Sequence, residues 1–267
     1  VFVANDGGSG GAMWFEGESR PLVVGCEIHL NTVGGMGGGI AVEPTASPTI
    51  RDCYIHDNTA ASGGGVCIAA TGGSIEDCTI TGNFATFGGG IAAISAAGLT
   101  ISDTRVAENE AVHSGGGVYG SDCSFELAGC EIEDNTTQGS GGAVWLLNAD
   151  VAVAGTAFLG NSASVSTGGI LVESSVLTVA SCEIEGNGVG LAIAGIGPST
   201  ADARHNWWGH GSGPHHPTLN PLGLGDDVGD GVLFEPWNVV TGVGGDAPTA
   251  VPTSWGAIKA GLWPLPR

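Results

Sequence analysis

A step of about 26 residues recurs down most of the chain and leaves little choice of fold. Cysteine or threonine stands at Cys26, Cys53, Cys78, Thr104, Cys130, Thr156 and Cys182. Two residues after each comes an apolar side chain: Ile28, Ile55, Ile80, Val106, Ile132, Phe158 and Ile184. Three residues before each lies another: Val23, Ile50, Ile75, Ile101, Leu127, Val153 and Val179. Five residues after each comes an asparagine: Asn31, Asn58, Asn83, Asn109, Asn135, Asn161 and Asn187, with Asn5 one period upstream. A glycine-rich step then precedes a third apolar pair, as in Ile40/Val42 and Val66/Ile68. Each unit reads as three short strands of period-two alternation separated by turn residues, with no helical stretch. Three short strands cannot bury an apolar face alone, but stacked units can. The expected fold is therefore all-β: a right-handed parallel β-helix (a solenoid) of about seven to eight 26-residue coils, plus a closing coil and a C-terminal tail. Right-handedness follows the general preference of parallel crossover connections.

Within that frame the recurring residues have physical reasons. Asparagine tolerates left-handed turns, and stacked once per coil its amides can bond one another in a ladder. The triplets Gly37–Gly39, Gly63–Gly65, Gly88–Gly90 and Gly115–Gly117 allow a sharp corner of positive φ. The cysteine column points inward. Its parallel Cβ vectors make disulfides awkward, so buried free thiols are expected. Glycine supplies 50 of the 267 residues, which argues against long helices. Against 27 acidic residues stand only six Lys and Arg, a net charge of −21. Such a surface repels a phosphate backbone, so nucleic acid is excluded as a partner. The uncharged stretch from Asn83 to Ser102 contains four glycines and repeats the coil pattern, so no membrane span is expected.

The segment HNWWGHGSGPHHPTLNPLGLGDDVGDGVLFEPW, His205 to Trp237, resembles the closing coil of bacterial right-handed β-helix repeat proteins of the pectate-lyase-like superfamily. The coil GGGI…SPTIRDCYIHDN is similar to those proteins as well. TAFLGNSASVSTGGI is similar to the repeats of chlamydial polymorphic outer-membrane proteins. The resemblance covers nearly the whole chain and implies the fold. The superfamily spans lyases, hydrolases, epimerases, adhesins and binding modules, so it names no activity. The resulting divisions are coils over 1–204, a closing coil over 205–238, a Gly/Pro/Thr-rich linker over 239–253 and a short tail over 254–267. In the tail, Ser254 to Leu262 reads as one short helix with Trp255, Ile258 and Leu262 on one face. The chain begins inside a coil at Val1 to Asn5, so further domains of a longer protein are expected upstream.

Alternation assigns outward columns. After the glycine corner the outward column runs Trp14, Ala41, Cys67, Ala92, Tyr119, Trp145, Leu171 and Ala192. Tyr119 and Trp145 fall on adjacent coils, ~4.8 Å apart, and flat exposed rings beside glycine make stacking surfaces for sugars. Trp14, Tyr119 and Trp145 are the carbohydrate-contact residues expected. In the cysteine-bearing strand, Glu27 and His29 lie beside Tyr54 and His56, with Arg51, Asp52 and Asp57 nearby. Were the chain an enzyme, His29, His56, Tyr54 and Glu27 could supply base and acid for a polysaccharide lyase or hydrolase, and Arg51 could neutralise a sugar carboxylate. Asp226, Asp227 and Asp230 are Ca²⁺ candidates, and the stacked His29 and His56 could also bind a metal, although two ligands at one-coil spacing are a weak signal; otherwise no cofactor is expected. The function expected is a secreted or cell-surface bacterial module that binds polysaccharide without cleaving it. The alternatives are a lyase or hydrolase, and a structural or adhesin passenger.

Overall fold

The computed structural model describes residues 1–188 and 192–239. Apart from Val239, the expected linker and tail with its Ser254–Leu262 helix lie outside the described residues. All regular structure among the described residues is strand, and no helix there is long and apolar enough to cross a membrane. The strands build a parallel β-helix, with each strand paired to its counterpart one coil away.

The coil holds four strands rather than the three read from the sequence. One complete turn runs Tyr54–His56 in sheet A, Thr59–Ser62 in sheet B, Val66–Ile68 in sheet C and Ser74–Glu76 in sheet D. Sheets A to D contain 8, 7, 8 and 9 strands. Sheet B escapes pattern reading because its strands are short and rich in Thr, Ala and Ser, with one inward residue of modest size, such as Ala60 or Ala85.

The expected registers hold in the other three sheets, except at the last coil of sheet C. Ile28, Ile55, Ile80, Val106, Ile132, Phe158 and Ile184 pair in sequence along sheet A, and all are buried. Val23, Ile50, Ile75 and Ile101 do the same in sheet D. Each such side chain, fully withdrawn from water, contributes about 1.5–3 kcal/mol. The core is thus a stack of similar apolar layers.

The asparagine ladder is complete and inward. Asn5 Nδ2 donates to Asn31 Oδ1 at 2.8 Å, and the same bond recurs through Asn58, Asn83, Asn109, Asn135, Asn161 and Asn187. From Asn31 on, each amide nitrogen also donates to a backbone carbonyl of the coil before, so these buried amides are satisfied. The asparagines are not themselves left-handed, against expectation. Positive φ falls on the residue before each: Ala4, Leu30, Asp57, Gly82, Glu108, Asp134, Gly160 and Gly186. The turn spends its left-handed residue one step early, which leaves the asparagine free to point into the core.

The glycine corners divide their labour. In Gly88–Gly90 only Gly88 has positive φ, at 65°. A Cβ on Gly89 would stand 2.5 Å from the Gly116 carbonyl oxygen of the next coil, and one on Gly90 would stand 2.8 Å from that of Gly117. The second and third glycines are therefore required by the close approach of coils. All seven cysteines are free, and six are buried, Cys26 being the exception.

The closing segment supplies an end plug. Asn206 continues the cysteine/threonine column: Cys182 N donates to its Oδ1 at 2.9 Å. Trp208 is fully buried among the apolar layers. Gly225 must be glycine beneath it, since a Cβ there would lie 2.1 Å from the Trp208 carbonyl oxygen.

Candidate functional site

Two outward regions gather chemistry-bearing side chains. The first lies on sheet A of the two coils that follow the first. Glu27 pairs with Tyr54 and His29 with His56 across adjacent strands, so period-two alternation puts all four on one face. The His29 and His56 rings stack 4.7 Å apart at 9°, and Tyr54 stacks on His56 at 4.0 Å. Asp57, held left-handed at φ 53°, places its carboxylate 2.7 Å from His56 Nδ1. That leaves His56 Nε2 facing Glu27 Oε1 at 3.6 Å. This nitrogen is buried and has no hydrogen-bond partner. Glu27 and Tyr54 are exposed, while His29 and His56 are half-buried.

Arg51 stands apart from this group. It closes a sheet D strand on the far side of the Asp52 turn, and its guanidinium pairs with Asp52 at 3.2 Å. The structure therefore assembles Glu27, His29, Tyr54 and His56 but gives Arg51 an ionic partner of its own.

The second region is the outward column of sheet C. Most of it is not exposed as expected: Ala41, Cys67, Ala92 and Leu171 are buried. The preceding glycine corner folds over the strand's outer face. A Cβ on Gly10, Gly88 or Gly141 would lie 2.7, 3.1 or 2.9 Å from the Cβ of Trp14, Ala92 or Trp145. Only the aromatic members Trp14, Tyr119 and Trp145 keep some exposure; the small residues and Leu171 are covered. Burial raises the Cys67 thiol to about 12, with Glu43 adding to the effect. The last member also needs correction. Leu171 pairs with Ala194, not Ala192, because the final coil is shortened between Asn187 and Ile193.

Trp14 is 53% exposed, whereas Tyr119 and Trp145 are half-buried. Tyr119 and Trp145 do sit side by side in register. Their rings nevertheless meet edge to face, 6.0 Å apart at 79°, instead of forming the flat pair expected. Edge-to-face contact suits the ring quadrupoles, and Phe87 on sheet B holds Tyr119 tilted from the other side at 5.2 Å. Phe87 also contacts His113 at 5.5 Å. Phe87, His113, Tyr119 and Trp145 thus line one aromatic corner between sheets B and C. Sequence reading missed the first two because it missed sheet B.

The closing-coil acids are each engaged separately. Asp226 accepts from the backbone N of Gly186 and Asn187 and from Asn187 Nδ2, and so becomes the final rung of the ladder. Asp227 meets His215 at 2.8 Å, and Asp230 meets His216 at 3.2 Å. His216 is buried, stacks on Phe234 and accepts from Thr218 N and Leu219 N. These contacts shape the end of the rod and divide the three proposed Ca²⁺ ligands among different partners. Residues 3–106 and 64–208 match the family model described as a right handed beta helix region. No curated protein and no solved structure matches the chain.

Proposed function

The chain belongs to the right-handed β-helix family, and on that footing we propose that it is a polysaccharide-binding module of a bacterial cell exterior. The observation that carries this reading is the aromatic corner of Phe87, His113, Tyr119 and Trp145. It is partly open to solvent, and it is edged by rings that can stack on the apolar faces of sugars while hydroxyls reach neighbouring polar atoms. Trp14, four coils away on the same column, offers a second contact for a chain lying along the rod. The net charge of −21 disfavours uronate polymers and favours neutral glucans or xylans.

Affinity electrophoresis through gels containing a panel of neutral and acidic polysaccharides tests the proposal. Retardation by a neutral glycan is expected, with most of it lost in Trp145→Ala and Tyr119→Ala. No retardation on any glycan, or retardation unchanged in both variants, overturns it in favour of a structural or adhesive passenger. Cleavage of a uronate polymer that disappears in His56→Ala would instead make the chain a lyase.

A further inference from the structure

We propose that Glu27, His29 and His56 form a binding site for a divalent transition-metal ion of the Zn²⁺ class. One donor atom from each of the three lies within 4.8 Å of the others. They come from two adjacent coils in strict register, so backbone pairing, rather than loop placement, fixes their spacing.

Each part of the group has the chemistry such an ion needs. Two imidazoles and one carboxylate are a donor set for zinc and its neighbours, whereas Ca²⁺ and Mg²⁺ require oxygen throughout. Asp57 occupies His56 Nδ1, which fixes the ring orientation and leaves Nε2 to the ion. A carboxylate behind a ligating histidine is the usual outer support of such a site. Nε2 is buried and has no hydrogen-bond partner, an unfavourable position for a polar atom unless it is given a ligand. Tyr54 stacks on the same ring and holds its plane.

Bonds of about 2.0–2.1 Å require the donors to converge beyond their present spacing. The χ2 torsion of His29 is broad and Glu27 is exposed, so these two side chains can close on a His56 ring that Asp57 and Tyr54 hold in place. Glu27 is exposed, which leaves one side of the ion to water, as in sites with three protein ligands and an open fourth position. The proposal is independent of glycan binding at the aromatic corner.

Titration of the purified chain with Zn²⁺ against a chromophoric chelator tests it, with Co²⁺ as spectroscopic probe. One ion per chain is expected, bound through nitrogen and oxygen, with no thiolate-to-cobalt charge-transfer band. His29→Ala and His56→Ala should each weaken binding at least ~100-fold. Asp57→Asn, which keeps all three donors, should weaken it ~10-fold. His210→Ala should leave it unchanged. Circular dichroism of the metal-free variants checks that each is folded. Affinity unchanged in both His29→Ala and His56→Ala, loss in His210→Ala, or a thiolate band would overturn the assignment.

Discussion

At the scale of single residues, burial decides which reactive groups are available. Cys123, Cys130 and Cys182 have their thiols pushed up to about 12, 11 and 12, in each case chiefly by desolvation. Thiolate is the reactive form, so these side chains behave as small apolar fillers. Glu183 follows the same logic on the acid side. Burial, helped by Glu185, lifts its carboxyl to about 6, and its Oε2 is enclosed without a partner. Between pH 4.5 and about 6 the folded chain therefore holds a proton that the unfolded chain has released. The associated stability is present below that range and lost as pH rises through it. Glu183→Gln should remove this dependence and raise stability at pH 7 by up to about 1 kcal/mol, the size being limited by solvent screening. Melting temperatures of both proteins across pH 4–8 check this, and an identical slope in the two would refute it.

At the scale of the element, the turn before each asparagine is the informative unit. It demands a left-handed residue at Ala4, Leu30, Asp57, Gly82, Glu108, Asp134, Gly160 and Gly186. Most of these side chains are glycine or acidic, but Leu30 bears the left-handed conformation with a branched apolar chain that is 54% exposed. A non-glycine residue there costs about 1–2 kcal/mol, and asparagine softens the cost by bonding locally. Leu30→Asn should therefore stabilise the chain by about 0.5–1 kcal/mol, read as a rise in the urea midpoint at constant slope. An unchanged or lower midpoint would mean that Leu30 packs usefully where it stands. Sheets A, C and D were legible because β-branched residues recur with period two and a constant step. Sheet B was not, since alanine and threonine carry no such contrast. The aromatic corner was half legible for the same reason: Tyr119 and Trp145 lie on a readable strand, Phe87 and His113 on an unreadable one. The Glu27, His29, Tyr54 and His56 face was fully legible because register alone assembles it. The burial of Ala41, Cys67 and Ala92 was not, because alternation gives direction but says nothing of what folds over it.

At the scale of the whole molecule, each coil touches mainly its two neighbours, so stability accumulates along one axis. Phe2 and Val3 form the outermost rung of sheet A and are exposed, whereas Trp208 plugs the opposite end. Hydrogen exchange should be fastest at the Phe2–Val3 rung, slow through Ile80 to Phe158 and slow again at Trp208. Uniform protection from end to end would show a single cooperative unit instead. The asparagine ladder has a further consequence at this scale. Every amide-to-amide bond of the ladder runs toward the same end of the rod, from Asn5 through Asn187 to the Asp226 carboxylate. The eight amide C=O groups are aligned head to tail, seven of them buried in a low-dielectric core where such chains polarise one another. Their positive ends face the closing coil, and there the chain places an anion. The ladder is polarised along the rod axis in the sense that an α-helix is, and Asp226 stands where a helix would place a carboxylate at its N-terminus.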